Sequence, residues 1–323
     1  MPPRAADTCT LVADIGGTNT RVALALGTAL LPETIRRYRN ADFPGLEPIL
    51  RRFIAEEDGV DCAGACVAAA GPVRDGVASM TNLDWTFDGD TLARATGAET
   101  VAILNDLQAQ GHALGHIAPG KLATLIPGPD GAADAARLVI GIGTGFNAAP
   151  VHETPWGRIV AASECGHVSL PVRTGEDLAL SRFVESAHGF PGVEDVLSGR
   201  GLERVFAFAA AEAGCPEDRG AARIMETLAS DGPARSAARI FSRLLGVVAG
   251  DLALIHLPFG GVYLCGGVAR AVAPHLGRMG FAEAFRDKGR FAGFMQNFAV
   301  TLIEDDYAAL TGCATYLARG GRG

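Results

Sequence analysis

Two stretches of this chain repeat one pattern, and that pattern restricts the fold more than any other feature. Leu11-Val12-Ala13-Asp14-Ile15-Gly16 and Leu138-Val139-Ile140-Gly141-Ile142-Gly143 are apolar runs that close on glycine. Each leads through further Gly, Thr and Asn residues into a second apolar run. Two apolar runs joined by a glycine-rich turn predict a β-hairpin. A hairpin that occurs twice predicts two related domains. A third glycine pair, Gly266-Gly267, closes the apolar run Val262-Tyr263-Leu264-Cys265.

The remaining periodicity places these hairpins in an α/β fold. Leu46, Ile49, Leu50, Phe53 and Ile54 recur at helical intervals and predict an amphipathic helix over 46–58. Residues 65–70 and 101–104 read as short buried strands, the second ending at Asn105-Asp106. Later segments are more helical: 176–188, 201–213, a long and nearly all-apolar helix over 234–257, buried throughout, and a closing helix over 305–319. Strands alternating with helices predict an α/β architecture.

Composition excludes several function classes. A chain of 323 residues with 48% apolar and 20% charged residues has material for two globular units and is not disordered. A net charge of −8 opposes nucleic-acid binding, which needs a basic surface. No apolar run reaches the roughly 18 residues of a bilayer span. The opening MPPRAADTCT lacks the apolar stretch of a signal peptide and is expected to be a frayed end. A cytoplasmic protein is expected. The seven cysteines are odd in number, scattered and without a CxxC pair, so neither a disulfide framework nor a zinc knuckle is expected. Cys62 and Cys66 read as small apolar residues at a buried strand, and His112 with His116 as a poor metal pair.

Glycine turns at strand ends let backbone N–H groups approach an anion, and threonine hydroxyls add donors. Two familiar phosphate motifs nevertheless fail. Gly115 to Lys121 has the GxxxxGK spacing, but Leu122 replaces the hydroxyl residue that would ligate magnesium. Residues 141–146 begin like GxGxxG, but Phe146 takes the last position and an extended run follows.

The series of motifs as a whole resembles the bacterial glucokinases of the hexokinase/actin-like ATPase superfamily. Asp14-Ile15-Gly16-Gly17-Thr18-Asn19-Thr20-Arg21 resembles their first phosphate turn. In family order follow Ala70-Gly71-Pro72-Val73, Met80-Thr81-Asn82 with Trp85, Leu104-Asn105-Asp106, Gly143-Thr144-Gly145 and Glu164-Cys165-Gly166-His167. Val196-Leu197-Ser198-Gly199, Gly266-Gly267-Val268 and Lys288-Gly289-Arg290-Phe291 complete the series.

The resemblance implies a two-domain actin-like (ribonuclease H-like) fold. A small domain of 1–106 plus 306–323 and a larger one of 107–305 would enclose the active site in a cleft. It further implies a homodimer that uses ATP and Mg²⁺ to phosphorylate glucose or a related hexose at the 6-hydroxyl. Mannose, fructose or an N-acetylhexosamine is the alternative acceptor, and a sugar-responsive regulator on the same fold is the alternative class. Asp106 would be the catalytic base, although an aspartate there also suits the N-cap of the helix that follows. Asn105, Glu164, His167 and Glu185 would join Asp106 in binding the sugar. Asp14 would hold Mg²⁺. Gly16, Gly17, Thr18, Asn19, Gly143, Thr144 and Gly145 would surround the phosphates, with Gly266 and Gly267 against the adenosine. Arg21 matches the motif but has no assigned contact.

The chain departs from the family pattern at a few places. Ser163 and Cys165 flank Glu164 where the family has glycine, and Phe146 and Asn147 stand where small or aliphatic residues are usual. The spacing around Glu185 and His188 is also altered. A cysteine beside a sugar ligand predicts that oxidation of Cys165 impairs activity.

Overall fold

The first hairpin forms as expected and organises one of two units. In the computed structural model β1 (Cys9–Ile15) pairs antiparallel with β2 (Asn19–Leu26), from Cys9 opposite Leu26 to Ile15 opposite Thr20. The structure describes residues 9–80 and 83–320, so residues 1–8 of the expected frayed end, and Thr81 and Asn82 of the motif series, lie outside the described residues. β1 begins at Cys9, inside the stretch expected to fray, because its backbone pairs with β2 on one side and β5 on the other.

Beyond β2 lie β3 (Ala29–Leu30) and β4 (Arg36–Arg39). On the other side β5 (Gly64–Ala69) and β9 (Thr100–Asn105) run parallel to β1, giving the order β3-β2-β1-β5-β9. A small antiparallel sheet of β6 (Val73–Arg74), β7 (Val77–Ser79) and β8 (Thr86–Asp88) lies between them in sequence. The strand sequence CTLVADI is apolar on both faces because both faces are covered. Leu11, Ala13 and Ile15 pack in the core that includes Ile49 and Phe53 of α1 (Leu46–Glu56) and Leu92 of α2 (Gly89–Thr96). Val12 points the other way, into a core with Ala109 of α3 (Asp106–Ala113) and Leu310 and Cys313 of α10 (Ala308–Ala318). Cys62 and Cys66 are buried apolar residues, as expected.

The same plan recurs in the second unit. β11 (Arg137–Ile142) pairs antiparallel with β12 (Phe146–Thr154), and β14 (Val262–Cys265) and β15 (Val300–Ile303) follow in parallel. The order β12-β11-β14-β15 thus repeats β2-β1-β5-β9 in position and sense, with β10 (Leu122–Ile126) added antiparallel at the end. The internal echo in the sequence is a structural duplication. Helices α4 (Gly175–His188), α5 (Gly199–Glu212), α6 (Ala221–Glu226), α7 (Gly232–His256), α8 (Gly267–Leu276) and α9 (Phe281–Arg286) complete this unit. Their core includes Phe206, Phe241, Phe281, Phe285 and Phe298, all nearly inaccessible. α7 is not buried throughout: Arg235 and Arg239 are exposed on one face near its start, and Asp251 and Ile255 on another near its end.

The first unit runs to Pro119 and takes in Thr154–Ala162 and the chain from Asp305; the second comprises Gly120–Glu153 and Ser163–Glu304. The first continues past 106 because α3 packs closely on α10 and because β13 (Gly157–Val160) is tied to α3. No helix among the described residues is long and apolar enough to cross a membrane.

Candidate active site

In each unit the glycine turn lies at the end of the sheet where the parallel strands terminate, the edge where open α/β sheets collect ligands. In the first turn the Gly16 N–H donates to the Asn19 carbonyl at 3.0 Å, which leaves Thr18 exposed at the tip. Asn40, buried just after β4, braces this turn. Its N–H donates to the Thr18 carbonyl at 2.9 Å and its Nδ2 to the Gly16 carbonyl at 2.8 Å, while its Oδ1 accepts from the Thr20 hydroxyl at 2.8 Å. Nothing in the local sequence marked Asn40, because its partners lie some twenty residues earlier on another strand.

Asp14, the last residue but one of β1, has its side chain 17% exposed. Burial pushes its carboxyl up, and the Arg21 guanidinium, 3.1 Å away, offsets part of that rise. Among the described residues no three His, Cys, Asp or Glu side chains cluster as a metal cage. A single carboxylate beside a glycine turn suits magnesium, which is commonly held by one or two carboxylates, substrate phosphates and water. His112 and His116 belong to no such cluster either.

Asp106 lies on the same edge as Asp14. The register runs Asp14–Ala68–Leu104 across β1, β5 and β9, so the two acids leave strands about 10 Å apart by ordinary strand spacing. The N-cap of α3 is Asn105, not Asp106. Asn105 Oδ1 accepts from the Gln108 N–H at 2.6 Å, and Gln108 Oε1 accepts from the Asn105 N–H at 3.1 Å, a complete capping box. Asp106 is the first helical residue; it is exposed, with Oδ1 2.9 Å from the Leu107 nitrogen. Asn105 therefore supplies the capping box, and Asp106 accepts from the N–H of the second helical residue while its side chain stays exposed. The cap also fixes Asn105 Nδ2 as the outward donor, and no described residue accepts from it.

The rest of α3 is held from β13. Gln108 Nε2 donates to the Val160 carbonyl at 3.1 Å. Buried Arg158 donates from Nη1 to the carbonyls of Gly111, His112 and Leu114 at 3.0, 2.9 and 2.6 Å. A cation on these last carbonyls also meets the negative end of the helix dipole.

In the second turn the Gly143 N–H donates to the Gly145 carbonyl at 2.9 Å, and the first N–H of α5, from Gly199, donates to the Gly143 carbonyl at 2.8 Å. Thr144 is exposed at the tip, as Thr18 is in the first. Gly266 ends the adjacent strand with φ +101°, and a Cβ there would strike the Ile142 carbonyl. Only glycine lets β14 pass this close to β11 before α8 starts at Gly267.

The loop that carries Glu164 and His167 folds into a single 3₁₀ turn over Cys165–His167, with both side chains exposed. Its acidic neighbour is Glu194. The segment around Glu194 is laced to the loop: Glu194 N–H to the Gly166 carbonyl at 2.8 Å, Val193 N–H to the Val168 carbonyl at 3.0 Å, and a bridge between Ser169 and Gly192. Glu194 Oε2 also accepts from the Phe146 N–H at 2.9 Å, directly after the second glycine turn. Glu185 has no such ties. Its side chain is exposed in the last turn of α4, and its backbone carbonyl accepts from the Gly189 N–H.

Two sheets of one plan, each with a glycine turn at the end of its first strand and acidic residues on that edge in the first, define the sugar-kinase branch of the actin-like ATPase fold. The family model for glucokinase matches residues 11–320. A glucokinase of Sinorhizobium medicae is 32% identical, covering 95% of this chain and 91% of the relative. One from Ralstonia nicotianae is 34% identical over 94% of each chain. The crystal structure of a glucokinase from an Antarctic psychrotroph superposes with a TM-score of 0.85 at 30% identity, covering 96% of this chain and 98% of the other. The glucokinase of Balamuthia mandrillaris, solved with glucose, shares the fold, with a TM-score of 0.80 at 21% identity over 97% and 94% of the two chains. The chain belongs to the glucokinase family, and with it to the kinases that phosphorylate hexoses.

Proposed function

We propose that the protein transfers the γ-phosphoryl group of ATP to the 6-hydroxyl of D-glucose, giving glucose 6-phosphate and ADP. The observation that carries the site assignment is the division of labour at the start of α3. Asn105 supplies the cap, which leaves an exposed carboxylate at Asp106 on the ligand-binding edge of the sheet. Phosphoryl transfer asks little covalent work of protein groups, so positioning and charge are what these residues supply.

Asp106 would accept the proton of the 6-hydroxyl as its oxygen attacks the γ-phosphorus and ADP departs. Asn105 would donate from Nδ2 to a neighbouring hydroxyl. Glu164 and His167 would bind further hydroxyls as acceptor and donor. Glu194 would serve as the further acidic sugar ligand in preference to Glu185, a reading supported by its backbone tie to this loop. The backbone of Gly16, Gly17, Asn19, Gly143 and Gly145, with the Thr18 and Thr144 hydroxyls, would meet the phosphates. Gly266 and Gly267 would allow the adenosine to lie against backbone. Mg²⁺, held by Asp14, would neutralise phosphate charge. The homodimer and the cytoplasmic address implied by the resemblance belong to the same proposal, and light scattering in solution tests the first.

The deciding experiment is ADP release from Mg-ATP without sugar and with glucose, mannose, fructose, glucosamine or N-acetylglucosamine, beside Asp106→Asn protein. Glucose-dependent turnover that falls about 10²- to 10⁴-fold in the variant is the expected result. Preference for another hexose would move the specificity, and equal hydrolysis with and without every sugar would overturn the reading.

A further inference from the structure

Three residues around the loop that carries Glu164, namely Asn147, Ser163 and Cys165, are hydrogen-bonded to one another. Asn147, the second residue of β12, lies between the phosphate turn at 143–145 and the loop that carries Glu164. Its Nδ2 donates to the Ser163 carbonyl and lies 3.4 Å from Glu164 Oε2. Its Oδ1 accepts from the Cys165 N–H at 3.2 Å, the Ser163 hydroxyl at 3.0 Å and the Cys165 thiol at 3.4 Å. The Ser163 hydroxyl oxygen is also 2.7 Å from the Ala148 carbonyl. One amide therefore grips the loop on both sides of Glu164 and touches its carboxylate.

We infer that Asn147 is a positioning residue for sugar specificity: it clasps the Ser163–Cys165 segment and so presets the carboxylate of Glu164 for a hexose hydroxyl pair. The inference rests on the reading of Glu164 as a sugar ligand. An exposed glutamate on an untied loop must lose side-chain and loop freedom each time sugar binds. A clasp that orders the loop beforehand removes much of that cost from the glucose complex. It also sharpens discrimination, because a fixed acceptor rejects an epimer whose hydroxyl lies elsewhere, whereas a mobile one follows it. The clasp is anchored on β12, so the acceptor is held by the sheet and not by the loop itself.

The test is steady-state kinetics of Asn147→Ala on glucose, mannose and ATP, with thermal melting as a check on folding. The expected result is a rise of about tenfold in KM for glucose, from the loss of several hydrogen bonds to one side chain. The same variant should show kcat within about threefold, an unchanged KM for ATP and a narrower preference for glucose over mannose. Ser163→Ala should show a smaller change of the same kind, and the double variant should fall short of the sum, as for residues in one network. If Asn147→Ala does not fold, Ser163→Ala alone carries the test. An unchanged KM for glucose in folded Asn147→Ala, or parallel loss in kcat and both KM values, overturns the inference. Glu164→Gln serves as the control. If it raises the KM for glucose while Asn147→Ala does not, only the clasp is wrong. If it leaves that KM unchanged, the assignment of Glu164 fails, and the clasp with it.

Discussion

Asp14 and Arg21 are register partners on β1 and β2, and Arg21 Nη1 lies 3.1 Å from Asp14 Oδ2. The arginine that matches the family motif without an assigned contact thus serves the proposed magnesium ligand. It lowers the cost of an ionised carboxylate in a buried place. Arg21→Ala should push the Asp14 carboxyl further up and move the acid limb of the activity profile to higher pH. A profile unchanged from wild type would show that the pair does not govern that ionisation.

The same burial gives a stability prediction. A carboxyl raised in the folded state contributes stability that is full below its unfolded pKa and is lost as pH rises through the folded value. Asp14→Asn should therefore melt higher than wild type near neutrality, with the difference closing in acid, while activity falls about 100-fold from loss of the proposed magnesium ligand. Thermal melts across pH, beside ADP-release assays, check both halves.

Glu194 and Glu185 make opposite predictions. Glu194→Gln should raise the KM for glucose about tenfold or more, because its carboxylate accepts from the Phe146 N–H beside the second glycine turn while its backbone N–H holds the Gly166 carbonyl of the proposed sugar loop. Glu185→Gln, in an exposed helical turn, should behave as wild type. The reverse pattern in a side-by-side kinetic comparison would restore the assignment made from sequence.

Arg158 should matter for the stability of α3. Its guanidinium supplies donors to three carbonyls at the end of a two-turn helix, and a helix so short depends on such partners. Arg158→Ala should cost about 3 kcal/mol in denaturant unfolding, with partial recovery in Arg158→Lys, which keeps a cation but loses the planar fork.

The surroundings of Cys165 favour the opposite outcome to the one its position suggests. Burial pushes its thiol up, so little reactive thiolate is present at neutral pH, against a partial lowering through the Ser163 hydrogen bond. Mild peroxide should leave wild-type and Cys165→Ser protein equally active. Selective loss in the wild type would mean that the thiolate forms more readily than its surroundings allow.

What could be read from the chain alone is what local pattern encodes. Apolar runs closing on glycine announced both hairpins, helical spacing announced α1 and the later helices, and the ordered series of motifs announced the family. Asp14, Asp106, Glu164 and His167 could be proposed from sequence because each sits within a few residues of a turn or strand end that marks it. The cap on α3 was misplaced by one residue, since Asn and Asp both suit an N-cap and only the backbone shows which of them precedes the first turn. Asn40, Arg158, Glu194 and the clasp at Asn147 could not be read at all. Each acts on a partner 16 to 48 residues away, and no local periodicity records which distant strand or loop a polar side chain will meet. Sequence determined the elements and the reaction family. Tertiary packing decided which side chains brace them, because a hydrogen bond depends on where two segments meet in space and not on how far apart they lie in the chain.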